Sequence, residues 1–237
     1  ICLNKDYTYA LVESEKGKLI VLEELVDALW EKFGLETKKK LATYKGSELE
    51  MITCQHPLYD RESLVILGDH VTADAGTGCV HTAPGFGADD FFIGQKYGLP
   101  AYCNVDEHGC MMEDAGDWLK GQYVDDANKT VTQRLDAMGA LLKLEFITHS
   151  YPHDWRTKKP IIFRATTQWF ASIDKIREKL LTEIANVDWI PKWGQQRMHN
   201  MIADRGDWCM SRQRAWGVPI PIFYAEDDTP IMDEAVF

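Results

Sequence analysis

At 237 residues, 45% hydrophobic and 27% charged, the chain has the composition of an ordinary folded globular protein. Its formal net charge of −11 argues against a nonspecific nucleic-acid binder, which is normally basic. No apolar run approaches the ~20 residues of a membrane span, and residues 1–20 lack the layout of a signal peptide.

In chain order, "YTYALVE" and "KLIVLEEL" flank "SEKGK" and predict a hairpin. "EELVDALWEKFG" places Leu25, Val26, Leu29, Trp30 and Phe33 on one helical face, with Gly34 as the stop. Short strand-like runs follow in "LATYKG", "ELEMITC", "SLVILG" and "GCVHTA". "ADDFFIGQKYG" predicts a helix with Asp89 and Asp90 in its first turn, where carboxylates suit the macrodipole. "DDANKTVTQRLDAMG" predicts another, with Ala127, Val131, Leu135 and Met138 on one face and Gly139 as its stop. "ALLKLEFITH" and "PIIFRAT" read as strands, "SIDKIREKLLTEI" and "GQQRMHNMIADRG" as helices, and "VPIPIFYA" as a final strand. Both ends read as interior to a longer chain.

Charge and aromatics are unevenly spread. From Trp155 to Ile220 there are twelve Lys/Arg against six Asp/Glu, a local +6, and six of the eight tryptophans. Trp155, Trp169 and Trp193 read as packing residues. The six cysteines, at positions 2, 54, 79, 103, 110 and 209, form no CxxC pair, which fits reduced thiols in a cytosolic protein.

The stretch "GDHVTADAGTGCVHTAPGFGADDFF", residues 68–92, holds the densest chemistry. A dinucleotide fingerprint starting at Gly76 and Gly78 needs a third glycine at position 81, which is His, and no Gly-Lys-Ser/Thr follows for a P-loop. His70, His81 and Asp90 are spaced unlike any compact metal motif, so no metal site is expected. What remains is a strand–loop–helix turn with His81 on a strand and Asp90 at a helix start. There a carboxylate can receive an ammonium group, and a histidine can orient a hydroxyl or water. On the residues alone, a capping role for Asp90 and a structural role for His81 stay open.

This stretch resembles the editing-domain signature of isoleucyl-tRNA synthetases: Gly76-Thr77-Gly78-Cys79-Val80-His81-Thr82-Ala83-Pro84, then Gly87 and Asp90-Phe91. "HSYPHDWRTKKPIIFRATTQWFASI" (149–173) is similar to the exit from that family's editing insertion, and "WCMSRQRAWGVPIPIF" (208–223) to its re-entry into the synthetic core. Leucyl enzymes have no His at the position of His81, and valyl enzymes lack the 149–173 combination. Some relatives carry Cys where this chain has Asp154, and no zinc is expected here.

The resemblance implies an α+β fold: a β-barrel-like editing domain with peripheral helices over residues 1–155, then a mainly helical connector over 156–237 returning to a Rossmann-like core. It implies hydrolysis of valyl-tRNA(Ile), with Asp90 anchoring the α-ammonium, His81 lining the pocket, and Gly76, Thr77, Gly78, Val80 and Gly87 shaping it. Arg212, Arg214 and Trp216 would contact tRNA or the core. A threonine-rich segment that completes the family's pocket would lie upstream of residue 1. The HIGH and KMSKS signatures are absent from the sequence, so ATP and Mg belong to the rest of the parent enzyme and no cofactor is expected for the fragment. The implied partners are the acceptor end of tRNA(Ile) and the remainder of the synthetase, in a cytoplasmic monomer. The alternative is an acceptor-end binding module without turnover.

Overall fold

A computed structural model describes residues 1–74, 76–212 and 216–233. The chain divides into two compact units, Ile1–Ala165 and Thr166–Phe237.

In the first unit β1 (Cys2–Leu3) is followed by the expected hairpin, β2 (Thr8–Ser14) antiparallel to β3 (Gly17–Leu22). Helix α1 (Val26–Phe33) comes next and stops at Gly34, whose φ of 69° is the left-handed cap the sequence called for. β4 (Lys39–Lys45) then adds to the free edge of β2, giving a three-stranded sheet in the order β3–β2–β4. Ala10, Val12 and Val21 on this sheet bury against Leu29 and Trp30 of α1. The helical stripe and the strand alternation were two halves of one core.

Three short strands follow: β5 (Thr53–Gln55), β6 (Glu62–Leu64) and β7 (Ile66–Leu67). β5 pairs with β6, and β7 runs parallel to β1. Ile93 of helix α2 (Ala88–Lys96) and Tyr97, which caps its C-terminal end, pack against Cys2, Ile66 and Val71. That small core seats the C-terminal half of α2 beside the β1–β7 pair. Helix α3 (Val124–Ala137) buries Ala127 against Ala115 and Leu119, with Val131 alongside.

The second unit holds β8 (Phe170–Ala171), α4 (Asp174–Asn186), α5 (Trp193–Ala203), β9 (Trp208–Cys209), β10 (Phe223–Tyr224) and β11 (Pro230–Ile231). Arg177 of α4 donates to the carbonyls of Ile202, Ala203 and Arg205, so a cation closes the C-terminal end of α5.

Several expectations are corrected. The fold is mixed α and β, but among the described residues the strands form one three-stranded and four two-stranded sheets, and none closes into a barrel. "ELEMITC" is interrupted by a turn with Met51 at φ 65°, leaving only β5 as strand. "ALLKLEFITH" forms no strand and "PIIFRAT" only the isolated His153–Pro160 bridge, because alternation without a continuous partner edge cannot build a ladder. Phe146 accordingly stays 94% exposed. Trp155 and Trp193 are exposed rather than packed, and Met138 lies outside the buried face of α3.

Candidate functional site

The 76–80 segment is held from both sides. The Cys2 N–H donates to the Val80 carbonyl at 2.7 Å and the Val80 N–H to the Cys2 carbonyl at 3.0 Å. The Leu22 N–H donates to the Thr77 carbonyl at 2.9 Å. Beneath it, the buried Tyr9 hydroxyl donates to the Gly78 carbonyl at 2.8 Å and accepts the Asn4 N–H at 2.9 Å. Burial pushes the Tyr9 phenol up to about 12, so it is a permanent donor. Gly78 has a φ of +76°, and a Cβ there would sit 2.6 Å from Leu22 Cβ. Glycine is required twice over, by conformation and by space. Gly76 shares the conformation (φ +73°) but faces open space.

After Val80 the backbone leaves the bridge, so His81 stands on a loop and not on the strand expected for it. Although the residue is exposed, loss of solvation along the ring lowers its pKa below the ordinary histidine value, followed by the nearby Ile1 ammonium. The Asp90 carboxylate acts in the opposite direction and is outweighed. At neutral pH the imidazole is therefore uncharged, able to donate one hydrogen bond and accept another.

Asp90 lies in the first turn of α2, as expected. Its Oδ2 accepts the backbone N–H of Ala83 at 3.1 Å, which ties the 83–87 loop across the helix start. Oδ1 has no protein hydrogen-bond partner among the described residues. The loop is pinned at two further points. A Cβ on Gly85 would lie 1.9 Å from the Tyr102 carbonyl oxygen, and one on Gly94 would lie 2.6 Å from Pro84 Cγ. Gly87 is extended, and a Cβ there would approach Asp90 Oδ2 at 3.2 Å. The result is a rigid cradle with one uncommitted carboxylate oxygen and a neutral imidazole near enough to feel its charge.

The sequence model for tRNA synthetases class I (I, L, M and V) matches residues 8–236. The chain belongs to this family. It is 58% identical over 237 residues to an isoleucine–tRNA ligase of Geobacillus thermodenitrificans, and equally so to isoleucine–tRNA ligase 1 of Oceanobacillus iheyensis. A counterpart from Geobacillus kaustophilus is 57% identical. Each match covers 100% of this chain and 26% of the relative, so the chain spans about a quarter of the length of these curated relatives. The solved structure of GlLeuRS-CP1 overlaps 64% of this chain and 77% of its own, with a TM-score of 0.46 and 17% identity.

In this synthetase chain the remaining predicted residues lie in the second unit. Arg212 Nη1 donates to the carbonyls of Cys209 and Ser211, both at 2.9 Å, and to Met210 at 3.3 Å. Trp216 is 77% exposed and lines, with Trp169, Ser211, Arg212 and Tyr224, a concavity of about 610 Å³. Arg214 lies outside the described residues. Among the described residues no group of three His, Cys, Asp or Glu side chains is arranged to hold a metal ion. No described helix is long and apolar enough to cross a membrane.

The supports of the cradle carry no local signal in the sequence. Tyr9 and Asn4 lie about seventy residues from Gly78, and Tyr102 meets Gly85 through backbone alone. Only the glycines themselves signalled such close approaches.

Proposed function

We propose that this chain is the editing module of an isoleucine–tRNA ligase and hydrolyses the valyl ester of tRNA(Ile). The observation that carries the reading is the Asp90 carboxylate, fixed through one oxygen and uncommitted at the other, beside a neutral His81. The 58% identity over all 237 residues to part of two isoleucine–tRNA ligases supports it. One methylene separates valine from isoleucine and yields about 1–3 kcal/mol of discrimination, a limit for which isoleucyl-tRNA synthetase is the standard illustration. A second, hydrolytic sieve supplies the rest.

In this reading Asp90 Oδ1 receives the α-ammonium of the esterified amino acid in a charge-assisted hydrogen bond. Gly76, Thr77, Gly78, Val80 and Gly87 shape the wall that meets the side chain and terminal ribose. His81 orients a water or a ribose hydroxyl without carrying charge. Water adds to the ester carbonyl carbon and the bond to the ribose oxygen breaks. That oxygen takes up a proton, and free valine and the tRNA hydroxyl leave. Holding the two reactants in place is the main contribution, since among the described residues no Ser or Cys side chain hydrogen-bonds to His81.

Residues 1–155 form the editing domain in this proposal, and 156–237, with Arg212, Arg214 and Trp216, lead back to the synthetic core or meet tRNA. ATP and Mg²⁺ serve aminoacylation in the rest of the enzyme, and no step here runs through them. The partners are the tRNA(Ile) acceptor end and the remainder of the ligase, in a cytoplasmic monomer. The test is deacylation of valyl-tRNA(Ile) beside isoleucyl-tRNA(Ile): faster loss of valine supports the reading. Binding of both without turnover of either points to an acceptor-end module instead.

A further inference from the structure

The β5–β6 hairpin brings the cradle a cation that the hydrolytic reading leaves unused. Its strands are joined through residues 56–61, where the His56 N–H donates to the Arg61 carbonyl at 2.9 Å and the Arg61 N–H to the Tyr59 carbonyl at 2.8 Å. Tyr59 braces this turn. Its hydroxyl donates to the Ala115 carbonyl at 2.8 Å, and its ring centroid lies 6.1 Å from that of Trp118. Arg134 of α3 covers Trp118 in turn, 4.4 Å from the ring centroid. The Arg61 guanidinium lies 5.6 Å from the Tyr59 ring centroid, so a fixed aromatic face holds it.

Arg61 is exposed, and among the described residues its guanidinium has no hydrogen-bond acceptor or ion-pair partner. Its charge nonetheless reaches the cradle. Loss of solvation leads the lowering of both the His56 and His81 pKa values, joined at His81 by the Ile1 ammonium, and the Arg61 charge adds to each. Asp90 opposes it at His81. Asp114, the acidic side chain on the same face, hydrogen-bonds to Tyr102. A positive charge that disfavours a proton on His81 favours a negative charge placed beside that ring.

Ester hydrolysis creates such a charge. Water adding to the carbonyl carbon leaves negative charge on the carbonyl oxygen. When the bond to the ribose oxygen breaks, one proton of the water goes to that oxygen and the other to solvent as the acid ionises. The released amino acid is therefore a zwitterion, whereas the ester carried only an ammonium. Asp90 Oδ1 suits the ammonium, and the anion needs a cation. A planar guanidinium with free N–H groups takes a carboxylate through two parallel hydrogen bonds.

We infer that Arg61 is the anion partner of the cradle: it meets the negative charge forming on the ester carbonyl oxygen and then holds the α-carboxylate of the free amino acid, while Asp90 holds the ammonium. The site is thus a receptor for a free α-amino acid as well as for its ester. The inference rests on the editing reading for the identity of the ester, and its test separates the two.

The experiment titrates the unaltered chain, Arg61→Gln and Arg61→Lys with L-valine and with L-valinamide, which keeps the ammonium and lacks the carboxylate. Binding is followed through the imidazole signals of His56 and His81, and folding is checked by thermal denaturation. Arg61→Gln is expected to weaken valine about ten-fold and valinamide less than about two-fold, the loss of a hydrogen bond to a charged group. Arg61→Lys, which keeps the charge, should recover part of the valine affinity. In deacylation of valyl-tRNA(Ile), Arg61→Gln should lower kcat about ten-fold or more with KM little changed, and free valine should inhibit the unaltered chain more strongly than this variant. Absence of valine binding to the unaltered chain, equal losses for valine and valinamide, or an Arg61→Gln protein that binds valine and deacylates like the unaltered chain overturns the proposal. Preferential hydrolysis of the valyl ester that ignores Arg61 keeps the editing reading and removes this role. Arg61-dependent valine binding without hydrolysis of either aminoacyl ester keeps the receptor and removes the editing reading.

Discussion

Asp90 and Ala83 are joined by a 3.1 Å hydrogen bond from the Ala83 N–H to Asp90 Oδ2, so the carboxylate proposed to hold the substrate also closes its own loop. The two roles separate by substitution. Asp90→Asn keeps an acceptor for Ala83 while removing the charge, whereas Asp90→Ala removes both. Asp90→Asn is expected to melt within a few degrees of the unaltered protein. Asp90→Ala is expected to lose about 1–2 kcal/mol, the cost of a loop-closing bond to a charged acceptor. Chemical denaturation of the pair decides this, and equal stabilities would remove the structural half of the assignment.

Gly78 and Gly76 offer a matched comparison. Both have positive φ, but only Gly78 lacks room for a Cβ, at 2.6 Å from Leu22 Cβ. Gly76→Ala is expected to cost about 1 kcal/mol of backbone strain, and Gly78→Ala a further ~1–3 kcal/mol for the clash. Unfolding midpoints that rank the other way would show that the turn relaxes away from Leu22.

Tyr9 is the buried post under that turn. Tyr9→Phe leaves the Gly78 carbonyl and the Asn4 N–H without their shared partner, at about 1–3 kcal/mol. Faster amide exchange at Asn4 and across residues 76–80 should accompany the loss. Unchanged exchange would mean that the hydroxyl contributes little to holding the segment.

These relationships mark the limit of what the sequence discloses. The β2–β3 hairpin, α1, α2 and α3 were legible because each combines a clear period with a local stop or cap, such as Gly34 or the carboxylates opening α2. Residues 140–149 carry strand-like composition without an edge to pair with, 160–166 pair only at the His153–Pro160 bridge, and pairing is a tertiary fact. His81 and Asp90 were legible as a motif, and the position of Asp90 on its helix followed from the capping pattern. The tie to Ala83, and the closeness of Gly85 to Tyr102, depend on how the loop folds over itself. The exposure of Trp155 is not legible, because a tryptophan's type says nothing about which surface it meets.

Two histidines contribute to the change of stability between neutral and mildly acidic pH. His56 Nδ1 accepts the N–H groups of Leu58 (3.1 Å) and Tyr59 (3.2 Å), and partial burial, then the Arg61 charge, lower its pKa. His81 is lowered as well. Groups that bind protons less readily when folded stabilise the fold fully above the ordinary value of ~6.5, and this contribution is lost as pH falls below it. Proton-detected titration should place both imidazoles below a histidine in a model peptide, and melting temperature should drop between pH 7 and 5. A normal titration of His56 would refute the acceptor role of its Nδ1.

Cys2 and Cys79 have thiols pushed up to about 11 by burial, so almost none of either is thiolate at neutral pH. With a soft alkylating reagent at pH 7.5 they should be the last two of the six cysteines to react, as peptide mass mapping would show. Early labelling of Cys2 would mean that β1 opens from β7 and Val80 in solution.

The most direct test of the central claim is single-turnover deacylation of valyl-tRNA(Ile) and isoleucyl-tRNA(Ile) by the unaltered chain and by Asp90→Asn. The account predicts that the unaltered chain releases valine well ahead of isoleucine. The folded Asp90→Asn protein should lose at least ten-fold in the valyl rate, because the ammonium loses its charged partner. Identical valyl rates for the two proteins would contradict the role of Asp90, and equal rates for the two esters would contradict the sieve itself.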